Sequence, residues 1–153
     1  VPVAIDAVLN DVLPIFQGEA ASRRVRIETQ CPPALPPVMA DKSQLQQVMM
    51  NLIMNAAEAV SENTPENRKI SIRARKEDGK VKVAVQDNGT GIDPVRIDHI
   101  FEPLFTTKTR GMGMGLALCR TIIQDHGGRI RIENNAQGGA TAVFELPVIQ
   151  NDG

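Results

Sequence analysis

The sequence predicts an α+β fold, a two-layer arrangement with helices laid over one face of a mixed, mainly antiparallel sheet. Three observations carry that expectation. Residues 41–62 are apolar around most of a helical wheel, with only a thin polar stripe. Two alternating runs, 69–75 and 80–85, flank Asp78-Gly79, a strong hairpin signal. A second alternating pair, 129–133 and 140–146, flanks Gly138-Gly139.

Taken in chain order, residues 4–21 place Ile5, Val8, Leu9, Val12, Leu13 and Phe16 at helical spacing. Pro14 falls inside that pattern and is expected to kink or shorten the helix. Residues 24–28 alternate and read as a half-buried strand, while four prolines within 31–37 make that stretch a loop. Residues 38–40 read as a short strand. The helix over 41–62 opens at Asp41, with Gln44 placed to reach back in a capping box. Its stripe is Gln44, Gln47, Asn51, Asn55, Glu58 and Glu62. Such a line is either the wet edge of a core helix or the floor of a cavity where carboxamides meet a ligand or metal. A turn-rich break follows at 61–67. Residues 86–92 read as loop, 94–100 as a short helix and 101–115 as an aperiodic mobile loop. Residues 116–126 return to helix, with Leu116, Cys119, Ile122 and Ile123 inward and Gly127 as the stop.

The 153 residues are expected to form one domain, large enough to bury about 68–70% of its unfolded surface. A net charge of -1, no basic run and only four aromatics, all Phe, argue against a nucleic-acid surface. No apolar run approaches the roughly 20 residues that span a bilayer, and no signal peptide opens the chain. Cys31 and Cys119 lack metal spacing and read as reduced thiols, hence a reducing, cytoplasmic setting. The start at Val rather than Met reads as a fragment, whose parent is soluble or membrane-anchored.

Two glycine-rich motifs carry chemistry. In Asp87-Asn-Gly-Thr-Gly91 a carboxylate ends a strand, and alternate glycines let a flat ligand approach. Such a carboxylate accepts from an exocyclic amine, the donor that distinguishes adenine from guanine at that edge; a plain Asp-Gly turn is the blander alternative. Gly111-Met-Gly-Met-Gly115 runs into a helix, a ready anion site although neither a Walker A nor a dinucleotide fingerprint. Lys108 and Arg110 stand just upstream, either near phosphate or simply solvated. Met54, Met112 and Met114 read as packing residues.

The order of the motifs, N-x-x-x-N, D-x-G-x-G, FEPLFTTK, G-x-G-x-G-L and Gly139-Ala-Thr141, strongly resembles the catalytic ATP-binding domain of sensor histidine kinases. These belong to the GHKL superfamily with gyrase B, MutL and a chaperone class. The resemblance covers residues 41–146, and the lid wording is most like the NtrB and FixL type. It implies the Bergerat fold, with ATP and Mg²⁺ as cofactors. Asn55 would match the Mg²⁺-binding asparagine and Asn51 the residue one turn earlier, near the phosphates. Asp87 would read adenine, supported by Gly89 and Gly91, with Thr141 backing that contact. Phe101 and Phe105 would open the lid, Thr107 and Lys108 would lie toward the phosphates, and Gly111, Gly113, Gly115 and Leu116 would wrap the triphosphate. The catalytic set is Asn51, Asn55 and Lys108.

ATP-hydrolysing relatives carry a water-activating Glu where this chain has Asn51, and a neutral amide is no general base. The site is therefore expected to hold ATP for transfer rather than hydrolysis. The acceptor histidine of the family sits on a separate dimerising hairpin. His99 and His126 lack its sequence context, so an upstream domain is expected to supply the acceptor. Partners implied are that domain and, through a dimeric parent, a response-regulator receiver; the fragment alone is expected to be a monomer with little self-phosphorylation. The alternatives are an anti-sigma-type serine kinase and a nucleotide-responsive module without catalysis.

Overall fold

The computed structural model describes residues 1–32, 35–93, 101, 112–136 and 138–149. The first β-strand, β1, is Pro2–Val3, and helix α1 follows at Ile5–Arg23. The buried stripe of α1 is Ile5, Val8, Leu9, Val12, Phe16 and Ala20. Pro14 does not break it. Both Pro14 and Asn10, whose carbonyl loses its partner to the proline ring, are exposed, so the missing bond falls on the solvent side of the helix. The helix ends with Arg24 in the left-handed region at φ 57°, where the Val25 amide donates to the Ala20 carbonyl and the Arg24 amide to that of Ala21. That cap uses the backbone expected to begin a strand, so β2 starts later, at Arg26–Gln30. As an edge strand it has only Ile27 partly buried rather than a half-buried face.

Strand β3, Val38–Met39, pairs antiparallel with β1 and bridges Val38 to Val148. Helix α2, Lys42–Ala59, buries Leu45, Val48, Met49, Leu52, Ile53, Ala56 and Ala57. Asp41 caps it by accepting the Gln44 amide at 3.1 Å. The reciprocal half of the expected box is taken by another residue: the Asp41 amide donates to His126 Nε2 at 3.1 Å. After a 3₁₀ turn at Pro65–Asn67 come β4, Lys69–Glu77, and β5, Lys80–Asp87. The Asp78-Gly79 link has positive φ at both residues, 54° and 75°, as a type I′ hairpin requires. Helix α3 is Met112–Asp125, and β6, Arg129–Asn134, and β7, Ala140–Pro147, complete the elements described.

The large sheet has the order β2-β4-β5-β7-β6, antiparallel throughout except for β2 beside β4. Ile70, Ile72, Ala74, Val81, Val83, Val85, Phe144 and Leu146 form its buried side, packed with the apolar faces of the three helices in one core. Arg68 ties the layers together. Its guanidinium donates to the carbonyls of Arg23, Ser61 and Asn63 at 2.7, 2.8 and 3.0 Å, capping the ends of α1 and α2 from one side chain.

Candidate functional site

Asp87 is the last residue of β5, two positions beyond the expected end of that strand. Side chains alternate along a strand, so Asp87 shares the inward side with Val81, Val83 and Val85. It is only 7% exposed. Its Oδ1 accepts the Gly89 amide at 2.9 Å, a local turn bond, and the Ala140 amide at 3.2 Å from β7. Among the described residues no hydrogen bond reaches Oδ2. Burial pushes the carboxyl pKa up, and the two amide bonds oppose that shift. The result is a carboxylate with one oxygen anchored and the other open to a donor.

The glycines around it serve the protein backbone first. A Cβ on Gly89 would stand 2.2 Å from the Ala59 carbonyl oxygen at the end of α2, and one on Gly139 would stand 2.1 Å from the Asp87 carbonyl oxygen. At Gly89 the space that a Cβ would need is taken by the last turn of α2. Gly91 is in the left-handed region at φ 79°. Thr141 is the second residue of β7. Its register opposite Gln86 and Glu133 turns it to the sheet face away from Asp87. Its hydroxyl donates to Asn135 Oδ1, and it is the Ala140 backbone that meets the Asp87 carboxylate.

On α2, Asn51 and Asn55 lie one turn apart on the polar stripe, both partly buried. Asn51 Nδ2 donates to the Cys119 sulfur of α3 at 3.7 Å. Burial drives that thiol up to about 11, so it meets the amide as a neutral group. Asn55 Nδ2 is buried and has no partner among the described residues. Amide nitrogen and oxygen exchange by a half-turn of the side chain, so this orphaned position suits an oxygen aimed at a cation. No three His, Cys, Asp or Glu side chains gather as a metal cage among the described residues.

The glycine-rich run was expected to remain loop as far as Gly115. Instead α3 begins at Met112, so Gly113 and Gly115 are in its first turn. Gly115 lies against the Asn51 side chain, where even an added Cβ would sit at 3.6 Å, and Leu116 is buried. Phe101 packs against the core. Phe105, Thr107, Lys108 and Gly111 lie outside the described residues, as do His99, the helix expected over 94–100 and residues 102–111 of the lid expected over 102–114. The described contacts join Asn51 to Gly115 of α3, and join Gly89, two residues beyond Asp87, to Ala59 of α2, one turn after Asn55.

Two residues of the site escaped sequence reasoning. Asn134 accepts the Ile92 amide and donates to the Ile92 carbonyl, each at 2.7 Å. Asn135 Nδ2 donates to the carbonyls of Asp87 at 3.2 Å and Gly138 at 3.4 Å. The only signal was a pair of amides before a Gly-Gly turn, which marks the turn and not the target of its side chains. His126 follows the last residue of α3. It bonds through both ring nitrogens, Nδ1 to the Ile122 carbonyl at 2.7 Å and Nε2 to the Asp41 amide. With Nε2 accepting the Asp41 amide, Nδ1 is the nitrogen placed to donate to the Ile122 carbonyl.

Residues 40–150 match the family described as histidine kinase-, DNA gyrase B-, and HSP90-like ATPase. The sensor protein TdiS of Thauera aromatica is 37% identical over 96% of this chain and 27% of its own length. The sensor protein FixL of Bradyrhizobium diazoefficiens is 40% identical over 84% and 25%. The chain thus spans about a quarter of these relatives. The catalytic domain of the histidine kinase ThkA superimposes with a TM-score of 0.86 at 34% identity, covering 97% of this chain and 95% of that one. Full-length ShkA in complex with AMPPNP matches with a TM-score of 0.83 at 27% identity, over 99% of this chain and 31% of that one. ThkA in complex with the response regulator TrrA matches at 0.81 and 31% identity, over 97% and 42%. A buried strand-end carboxylate beside an amide-striped helix, in this fold and at these identities, places the chain in the histidine kinase-, gyrase B- and HSP90-like ATPase family, to which it belongs.

Proposed function

We propose that this chain is the ATP-binding catalytic domain of a sensor histidine kinase, holding Mg-ATP for transfer of the γ-phosphoryl group to a histidine on a separate domain. The observation that carries the reading is Asp87, buried at a strand end with Oδ1 tied to two amides and Oδ2 without a hydrogen-bond partner among the described residues. That oxygen accepts the exocyclic amine of adenine. Asn55 would hold Mg²⁺, its orphaned amide being the fit. Held there, Mg²⁺ would supply positive charge to offset that of the triphosphate. Asn51 stands beside the phosphates as a neutral amide and leaves water unactivated. Gly113 and Gly115, in the first turn of α3, bring backbone amides toward the triphosphate. Gly111, Phe105, Thr107 and Lys108 complete the lid side of the site, and Thr141 acts from behind Asp87.

The chain's own His126 has both ring nitrogens engaged, which supports an acceptor on another domain. The ThkA–TrrA complex supports a response regulator as the eventual recipient. The parent is a homodimer through its acceptor domain, and this fragment alone is a monomer. No helix among the described residues is long and apolar enough to cross a membrane. A cytoplasmic setting, where ATP is supplied, fits the reading.

Calorimetry with Mg-ATP and Mg-GTP tests the first half: ATP is favoured, and Asp87→Asn loses the preference or the binding. Adding a separately made acceptor domain with labelled ATP tests the second. Acid-labile label on its histidine is the expected result; label on serine, or none on either piece, would overturn the kinase reading.

A further inference from the structure

Asp87 and Ile92 bracket the turn that presents the open carboxylate, and each is gripped by one of two consecutive asparagines at the end of β6. We propose that Asn134 and Asn135 are positioning residues for base selectivity, fixing both ends of this turn so that Asp87 presents its acceptor in one direction. The proposal rests on the reading of Asp87 as the group that meets adenine.

Successive side chains of an extended segment diverge, which lets neighbouring asparagines reach two different targets. Asn134 gives Ile92 what a paired strand would: one acceptor for its amide and one donor for its carbonyl. Asn135 donates from Nδ2 to the carbonyls of Asp87 and Gly138 and accepts the Thr141 hydroxyl on Oδ1. Neither carboxamide can be reversed, because reversal would set oxygen against carbonyl oxygen. Thr141 thus reaches Asp87 through Asn135. The same residue, Asp87, is met from β7 by the Ala140 amide on Oδ1 and by the close backbone of Gly139.

Adenine and guanine differ at the relevant edge as donor and acceptor. A carboxylate that cannot swing away meets guanine with oxygen against oxygen and must pay that repulsion in full. A loosely held carboxylate would turn aside and admit both bases. Selectivity therefore depends on what holds Asp87 as much as on Asp87 itself.

The test is the ratio of Mg-ATP to Mg-GTP affinity, by calorimetry, in folded variants verified by thermal melts. Asn135→Ala and Thr141→Val are expected to lower ATP affinity by roughly tenfold, the scale of one hydrogen bond, with GTP affinity unchanged, so that the ratio shrinks. Asn134→Ala is expected to shrink it likewise. Thr141→Ser, which restores the hydroxyl, returns the ratio to that of the native chain. If Asn135→Ala fails to fold, the Thr141→Val and Thr141→Ser pair decides alone. Equal losses for both nucleotides, or an unchanged ratio in the folded variants, overturn the proposal. If Asp87→Asn abolishes the preference while the asparagine and threonine variants keep it, only this proposal falls. If the native chain shows no preference for ATP, the assignment of Asp87 falls with it.

Discussion

A carboxyl group held inside the fold titrates in two ways at once, and Asp87 makes both measurable. Burial raises its pKa in the folded state, so between its ordinary value and the raised one the native chain binds more protons than the unfolded chain. Stability from this group is complete below the unfolded pKa and is lost as pH rises through the folded one. Adenine recognition runs the other way, since only the ionised group is a pure acceptor. ATP affinity is expected to fall as pH drops through the raised pKa, and any binding that Asp87→Asn retains should show no such fall in calorimetry. Asn55 supplies a second prediction. Its buried Nδ2 lacks a partner among the described residues, so Asn55→Leu should gain about 1 kcal/mol in denaturant melts while losing Mg²⁺-dependent nucleotide binding. Both residues were legible in the sequence, because a carboxylate at a strand end and paired amides on a greasy helix are exceptions to a local pattern. Asn135 was not, because nothing local distinguishes an asparagine that closes a turn from one that reaches across strands to Asp87.

Helix and strand existence followed from periodicity, whereas their ends depended on tertiary partners. Arg24 entered the cap of α1 and displaced β2 by two residues, and α3 gained a first turn holding Gly113 and Gly115, the latter against Asn51, that no propensity favours. Gly89 shows the same dependence. Gly89→Ala would force a Cβ to 2.2 Å from the Ala59 carbonyl, a backbone clash expected to cost about 1–3 kcal/mol and to lower Tm by several degrees in calorimetric scans. Arg68 joins two helix ends to the start of β4 through three carbonyls, and Arg68→Met should destabilise by about 2–3 kcal/mol in urea titrations without altering ATP selectivity in the folded population.

At the level of the molecule, alternating strands and an apolar helix were enough to predict a two-layer fold, because each leaves one greasy side that only the other can cover. The parallel pairing of β2 with β4 was invisible in the sequence, since edge position and strand direction are set by where α1 delivers the chain. The positive φ values at Asp78 and Gly79, by contrast, were written into the residue pair. That hairpin tip and Asp87 occupy opposite ends of β5, separated by about 24 Å of extended backbone. A fluorophore or short affinity peptide grafted at Asp78 would therefore ride at the far pole of the domain, offering a handle for immobilisation or single-molecule detection that leaves nucleotide exchange undisturbed.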